Sequence, residues 1–119
     1  MWLFTTDGFY SVVQDTYDNT KVIVRARTKE DILRLAHKLG GEITVRHTPT
    51  ADYEWRIHMS RILWGTYLGT ALAEIDYPNF KNAVASKMEP GRAGLYQRVW
   101  ATMLELQLSP TEVAAMHGD

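Results

Sequence analysis

The chain has no cysteine at all. Disulfides, thiolate metal centres and cysteine nucleophiles are therefore excluded, and the composition fits a reducing, cytoplasmic setting. It also lacks an excess of charge of either sign: thirteen Lys and Arg face fourteen Asp and Glu, for a formal net charge of −1. No global field draws it to nucleic acid, so any anionic partner must be met by a local patch. No uncharged apolar run is long enough to span a bilayer, so no membrane association is expected. Near the N-terminus, Asp7 and Gly8 interrupt what would have to be the apolar core of a signal peptide, which points to an intracellular protein. Repeats, low-complexity tracts and domain-dividing linkers are absent as well.

What is present is an ordinary globular balance, 45% hydrophobic and 23% charged over 119 residues. That supports one α+β domain over 1–108, followed by a short helix or frayed tail over 109–119. Met1 to Thr5 and Phe9 to Gln14 read as extended, broken at Thr6-Asp7-Gly8, where Asp-Gly signals a turn or bulge. Lys21 to Arg27 alternates as a strand, with Val22, Val24 and Ala26 on one side and Ile23, Arg25 and Arg27 on the other. Thr28 caps a helix whose buried face is Ile32, Leu35, Ala36 and Leu39, and Gly40-Gly41 ends it. Ile43 to Thr48 is the next strand. Tyr53 to Met59 follows, with Tyr53, Trp55, Ile57 and Met59 set against Glu54, Arg56 and His58.

Ser60 to Lys87 then supplies the largest apolar face. Behind a Ser60 cap come Trp64, Tyr67, Leu68, Ala71, Leu72 and Ile75 at helical spacing. Gly65 and Gly69 share a face with Ala73, which suits a close backbone approach inside the domain or, alternatively, a homodimer seam. Asp76 and Pro78 open a second short helix with Phe80, Ala83, Val84 and Met88 inward. A last long helix from Gly94 or Leu95 buries Leu95, Val99, Met103 and Leu106, and Ser109-Pro110-Thr111-Glu112 spells a capping box. The predicted architecture is a two-layer sandwich: an antiparallel sheet of about four strands with helices on one face. A ferredoxin-like sheet is the nearest named shape, although two strands ahead of the first helix depart from its usual order.

The segments MWLFTTDGFYSVVQ, TADYEWRI and EIDYPNFKNAV resemble a family of small uncharacterised bacterial proteins. Its pattern runs MWLFT-x-x-GF-[FY]-S-V-V, VRAR, DY-x-[WY]-R, D-Y-x-NFK and a Tyr-x-x-Val-Trp segment, matched here by Tyr96, Val99 and Trp100. The resemblance spans residues 1 to 107 and implies no assigned activity.

For chemistry, the sheet face turned away from the helices is the most informative. Arg25, Arg27, Arg46 and Arg56 should share it with Thr44 and His58, and guanidinium forks suit phosphate or carboxylate. Phe4, Phe9 or Tyr10 beside them would make the stacking-plus-charge platform of single-strand binders. The plainer alternative is a solvated face whose arginines pair with Glu42 and Glu54. Asp76, Tyr77, Asn79 and Lys81 form a second polar cluster, either a small recognition surface or capping chemistry. No metal spacing, nucleophile elbow, phosphate loop or dinucleotide glycine pattern occurs, so no metal or cofactor is expected. The leading functional expectation is a non-enzymatic interaction module that engages an acidic protein surface or nucleic acid. The alternatives are a small enzyme with His58, Asp76 and Tyr77 in one pocket, and a homodimeric structural or host-modulating protein.

Overall fold

A computed structural model describes residues 1–118, leaving Asp119 of the tail outside the described residues. The chain forms two compact units, residues 1–76 and residues 77 onward. The fold is α+β, and the first unit carries all of its β-structure among the described residues.

In that unit β1 (Trp2–Phe4), β2 (Phe9–Gln14), β3 (Lys21–Ala26), β4 (Arg46–His47) and β5 (Trp55–Ser60) make one antiparallel sheet of order β1-β2-β3-β5-β4. Five strands thus replace the expected four or so. Helices α1 (Lys29–Lys38) and α2 (Arg61–Ala73) both pack on β3 and β5. Because β3 and β4 each run antiparallel to β5, which lies between them, β3-α1-β4 is a split β-α-β unit. The β1–β2 pair precedes that unit in the chain, so the usual ferredoxin-like order is not reproduced.

Alternation decides which residues form the core. Tyr10 and Val12 from β2, Val22, Val24 and Ala26 from β3, and Ile57 and Met59 from β5 meet Ile32, Leu35 and Ala36 of α1 and Trp64 and Tyr67 of α2. Thr28 Oγ1 accepts the amide of Asp31 at 3.2 Å, and Ser60 Oγ accepts that of Leu63 at 3.0 Å, so both helices begin where their caps predict. Gly40 and Gly41 take φ of 101° and 77° just past α1, a conformation that side chains other than glycine adopt at a cost.

Three expectations need correction. The Ile43–Thr48 strand shrinks to Arg46–His47; at the sheet edge it has a neighbour on one side only, and Ile43 and Val45 pack on the core without joining the ladder. Leu72 and Ile75 are exposed, at 70% and 55%, because α2 turns Trp64, Tyr67, Leu68 and Ala71 to the sheet. Gly65 and Gly69 permit no close internal approach: a Cβ on either would meet open space.

The second unit comprises α3 (Phe80–Lys87), α4 (Arg92–Met103), a 3-10 turn over Leu104–Gln107, and α5 (Pro110–Met116). Phe80 stacks on Tyr96 at 5.8 Å between ring centroids, and Ala83 and Val84 are buried. Buried Arg92 donates from Nε to Glu89 Oε2 at 2.9 Å and from Nη1 to the Tyr96 hydroxyl at 3.1 Å. The cap of α3 is Asn79, whose Oδ1 accepts the Asn82 amide at 2.9 Å, and not Asp76. Gly91 caps α4 at φ 93°, so the helix starts earlier than predicted. Tyr96 faces inward, while Leu95, Val99, Met103 and Leu106 are exposed. The Ser109–Glu112 capping box is present in full.

Candidate functional site

Strand register places the arginines. Cross-strand partners project from the same face, and the pairs Trp2↔Ser11, Ser11↔Arg25, Arg25↔Arg56 and Arg46↔Arg56 link all five strands in one transverse row. Core residues Val24 and Ile57 flank Arg25 and Arg56 along their strands, so the row lies on the side away from α1 and α2. Three guanidinium-bearing residues therefore stand side by side on β3, β5 and β4. Arg27, just past β3, adds a fourth.

None of the four is neutralised by a carboxylate among the described residues. Arg25 donates from Nη2 to Ser11 Oγ at 2.7 Å, Arg27 from Nη1 to the Asp52 carbonyl at 2.8 Å, and Arg56 from Nε to the Tyr53 carbonyl at 3.3 Å. The expected pairing with Glu54 does not occur, since Glu54 faces His47 at 3.6 Å. Like charges on directly opposed residues destabilise a sheet, and this row contains two such pairs in succession. The cost is held down because three of the guanidiniums have neutral acceptors, and because Arg25 and Arg27 lie over the Tyr53 ring at 4.8 and 4.3 Å.

Tyr53 is itself a correction. Alternation grouped it with the inward residues, but it precedes β5, and its ring lies with Arg25, Arg27 and Phe9 on the opposite face. Tyr10, named as a flanking aromatic, points into the core and is fully buried. Phe4 and Phe9 do flank the arginines: they stack at 4.6 Å, and Trp2 and Phe9 form a T-shaped pair at 6.0 Å. Trp2 remains 68% exposed. Its place in the row, opposite Ser11 and next but one to Arg25, follows once the hairpin is paired. The MWLFT, VRAR and DYEWR segments therefore converge on this one face.

His58 shares it, with Nδ1 2.8 Å from Asp15 Oδ2. The His58 hydrogen bond, followed by the Tyr17 and Asp18 amides, holds the Asp15 carboxyl below its ordinary value. The second predicted cluster is spread over capping and packing duties. Asn79 caps α3, Lys81 donates to Gln97 Oε1 at 2.5 Å and lies over Trp100, and Tyr77 packs on Phe80. Asp76 closes the first unit and Tyr77 opens the second.

A buried polar group surrounds the β1–β2 loop, of which sequence reading predicted only the turn at Thr6-Asp7-Gly8. Asp7 is 6% and Asp31 2% exposed. Tyr67 donates to Asp7 Oδ2 at 2.8 Å and is 2.9 Å from Thr5 Oγ1, while Lys38 Nζ reaches Asp7 Oδ1 at 2.9 Å and also bonds Glu74. Asp31 Oδ2 accepts the Phe9 amide at 3.0 Å, its Oδ1 accepts Arg34 Nη2 at 2.7 Å, and its carbonyl accepts the Tyr10 hydroxyl at 2.8 Å. Burial, reinforced by the nearby carboxylates, pushes both tyrosine hydroxyls well above their usual range. Lys38 is held above its usual value: burial opposes its charge, but the bonds to Glu74 and Asp7 outweigh it. Each carboxylate here already has its donors, so the group clamps the hairpin loop between α1 and α2. Among the described residues, no three His, Asp or Glu side chains gather as a metal site would require, and no helix is long and apolar enough to cross a membrane.

Set against known proteins, the chain matches no family model, and no curated protein or solved structure matches it significantly.

Proposed function

We propose that the chain is a non-enzymatic binding module that engages an anionic macromolecule through the sheet face bearing Arg25, Arg27, Arg46 and Arg56. The observation that carries this reading is the register-aligned row Arg25–Arg56–Arg46, which has no carboxylate at ion-pair distance among the described residues. A fold gains nothing from opposing like charges on its own sheet. Local rules are broken at a stability cost mainly where function requires it. Phosphates or carboxylates of a partner would complete the missing half of each pair.

The test uses Arg46→Glu. On the edge strand, opposite Arg56, a glutamate converts a like-charge pair into an opposite one, worth roughly 0.2–1 kcal/mol in the favourable direction. The variant should melt no lower than the parent, yet capture less anionic partner from lysate in pull-down. An Arg46→Glu protein that melts lower, or that captures as well as the parent, contradicts the reading. Arg25 is the poorer site for this experiment, because its Nη2 satisfies the buried Ser11 hydroxyl.

A further inference from the structure

The aromatic end of the transverse row carries information that charge alone does not. We infer that the anionic partner is a single-stranded nucleic acid, its backbone lying across β3, β5 and β4 and a base stacked on Trp2; this rests on the binding reading above and specifies its partner.

Three features favour single-stranded nucleic acid over an acidic protein surface. First, Trp2 offers a largely exposed ring in the same row as Arg25, Arg56 and Arg46, with only Ser11 between. Carboxylate side chains gain little from a flat indole, whereas every nucleobase has a π-face. Second, the ring is held by packing: Trp2 and Phe9 meet in a T-shaped pair at 89°, and Phe4 stacks on Phe9 at 18°. A platform already fixed by packing loses little freedom when a base lands on it. Third, the row crosses the strands. With neighbouring strands about 4.8 Å apart, Trp2 and Arg46 stand about 19 Å apart, the reach of a few extended nucleotides and the low end of known single-strand site sizes. A duplex would keep its bases stacked on each other and leave Trp2 unused.

The experiment is fluorescence anisotropy with the full chain and four probes. These are a labelled oligothymidylate of about twelve nucleotides, the same length without bases, the corresponding duplex, and an oligoglutamate of equal charge. Oligothymidylate should bind best, with log K falling against log salt at a slope of about −2, as three phosphate contacts require of a single strand. Trp2→Ala should weaken it about tenfold and leave the baseless probe unaffected. Arg46→Glu should weaken both. Equal binding of the baseless probe or oligoglutamate overturns the nucleic-acid assignment while leaving an anion-binding face standing. Binding of oligothymidylate that ignores Trp2→Ala overturns the stacking role, and the inference with it. If none of the four probes binds, the nucleic-acid inference falls; if Arg46→Glu also leaves lysate capture unchanged, the binding module falls too.

Discussion

Replacing Gly8 with alanine adds one methyl group, and the surrounding atoms leave it nowhere to go. It would stand 2.6 Å from Asp31 Cγ and 2.7 Å from Cβ and Oδ2. Non-bonded carbons prefer about 3.5–4.0 Å, so the hairpin loop or Asp31 must withdraw by about 1 Å. Asp31 is poorly placed to move. Its carboxylate holds the Phe9 amide and Arg34, and its carbonyl holds the Tyr10 hydroxyl. Overpacking alone costs about 1–3 kcal/mol, and a weakened bond to a buried charge costs about as much again, so partial relaxation should leave a loss of about 2–3 kcal/mol. For a unit of this size that corresponds to a fall of roughly 10–20 °C in Tm, measurable by calorimetry or circular dichroism. Backbone conformation supplies no rival explanation, because the glycines in the left-handed region are Gly40, Gly41, Gly91 and Gly118. A double-mutant cycle isolates the contact. In an Asp31→Gly background, itself strongly destabilised, Cβ, Cγ and Oδ2 are all gone, and the added methyl should cost less than about 0.5 kcal/mol. A Gly8→Ala protein that melts within about 2 °C of the parent, or equal costs in both backgrounds, would refute the steric argument.

Tyr67→Phe removes the hydroxyl between Asp7 and Thr5, leaving a buried carboxylate one donor short; urea unfolding should show a loss of about 1–3 kcal/mol, and no loss would mean the clamp is not formed. Asp15 titrates below its ordinary 3.8, so its contribution to stability is complete above that pH and disappears as pH falls through the lower folded value. His58→Ala should move the Asp15 titration back up, as followed by carboxyl NMR, and an unmoved titration would contradict the pairing.

Legibility followed the range of the interactions. Thr28, Ser60 and the Ser109–Glu112 box act on amides three residues away, so α1, α2 and α5 start where the chain says they should. Strands β3 and β5 were visible in their alternation, and so was the shared face of Arg25, Arg46 and Arg56. Partners distant in sequence were not visible. Asp7 reads as a turn residue until Tyr67 and Lys38 surround it, and nothing in the residues around Asp31 shows that it will accept the Phe9 amide. Alternation failed at Tyr53, which lies two residues ahead of the β5 ladder and packs its ring against Arg25 and Arg27. Helical spacing failed in α2 and α4, where apolar residues occur on more than one side and periodicity alone could not choose among them.

The clamp around the β1–β2 loop also sets an order of assembly. Thr5 and Asp7 find their hydroxyl partner sixty or more positions downstream at Tyr67. Strands β1 and β2 can pair as soon as they meet, yet their connection acquires its final form only after α2 has docked. The earliest-made hairpin is thus among the last pieces to lock. Pulse-labelled amide exchange should find the Thr5–Gly8 backbone protected in step with α2, behind the β2–β3 ladder.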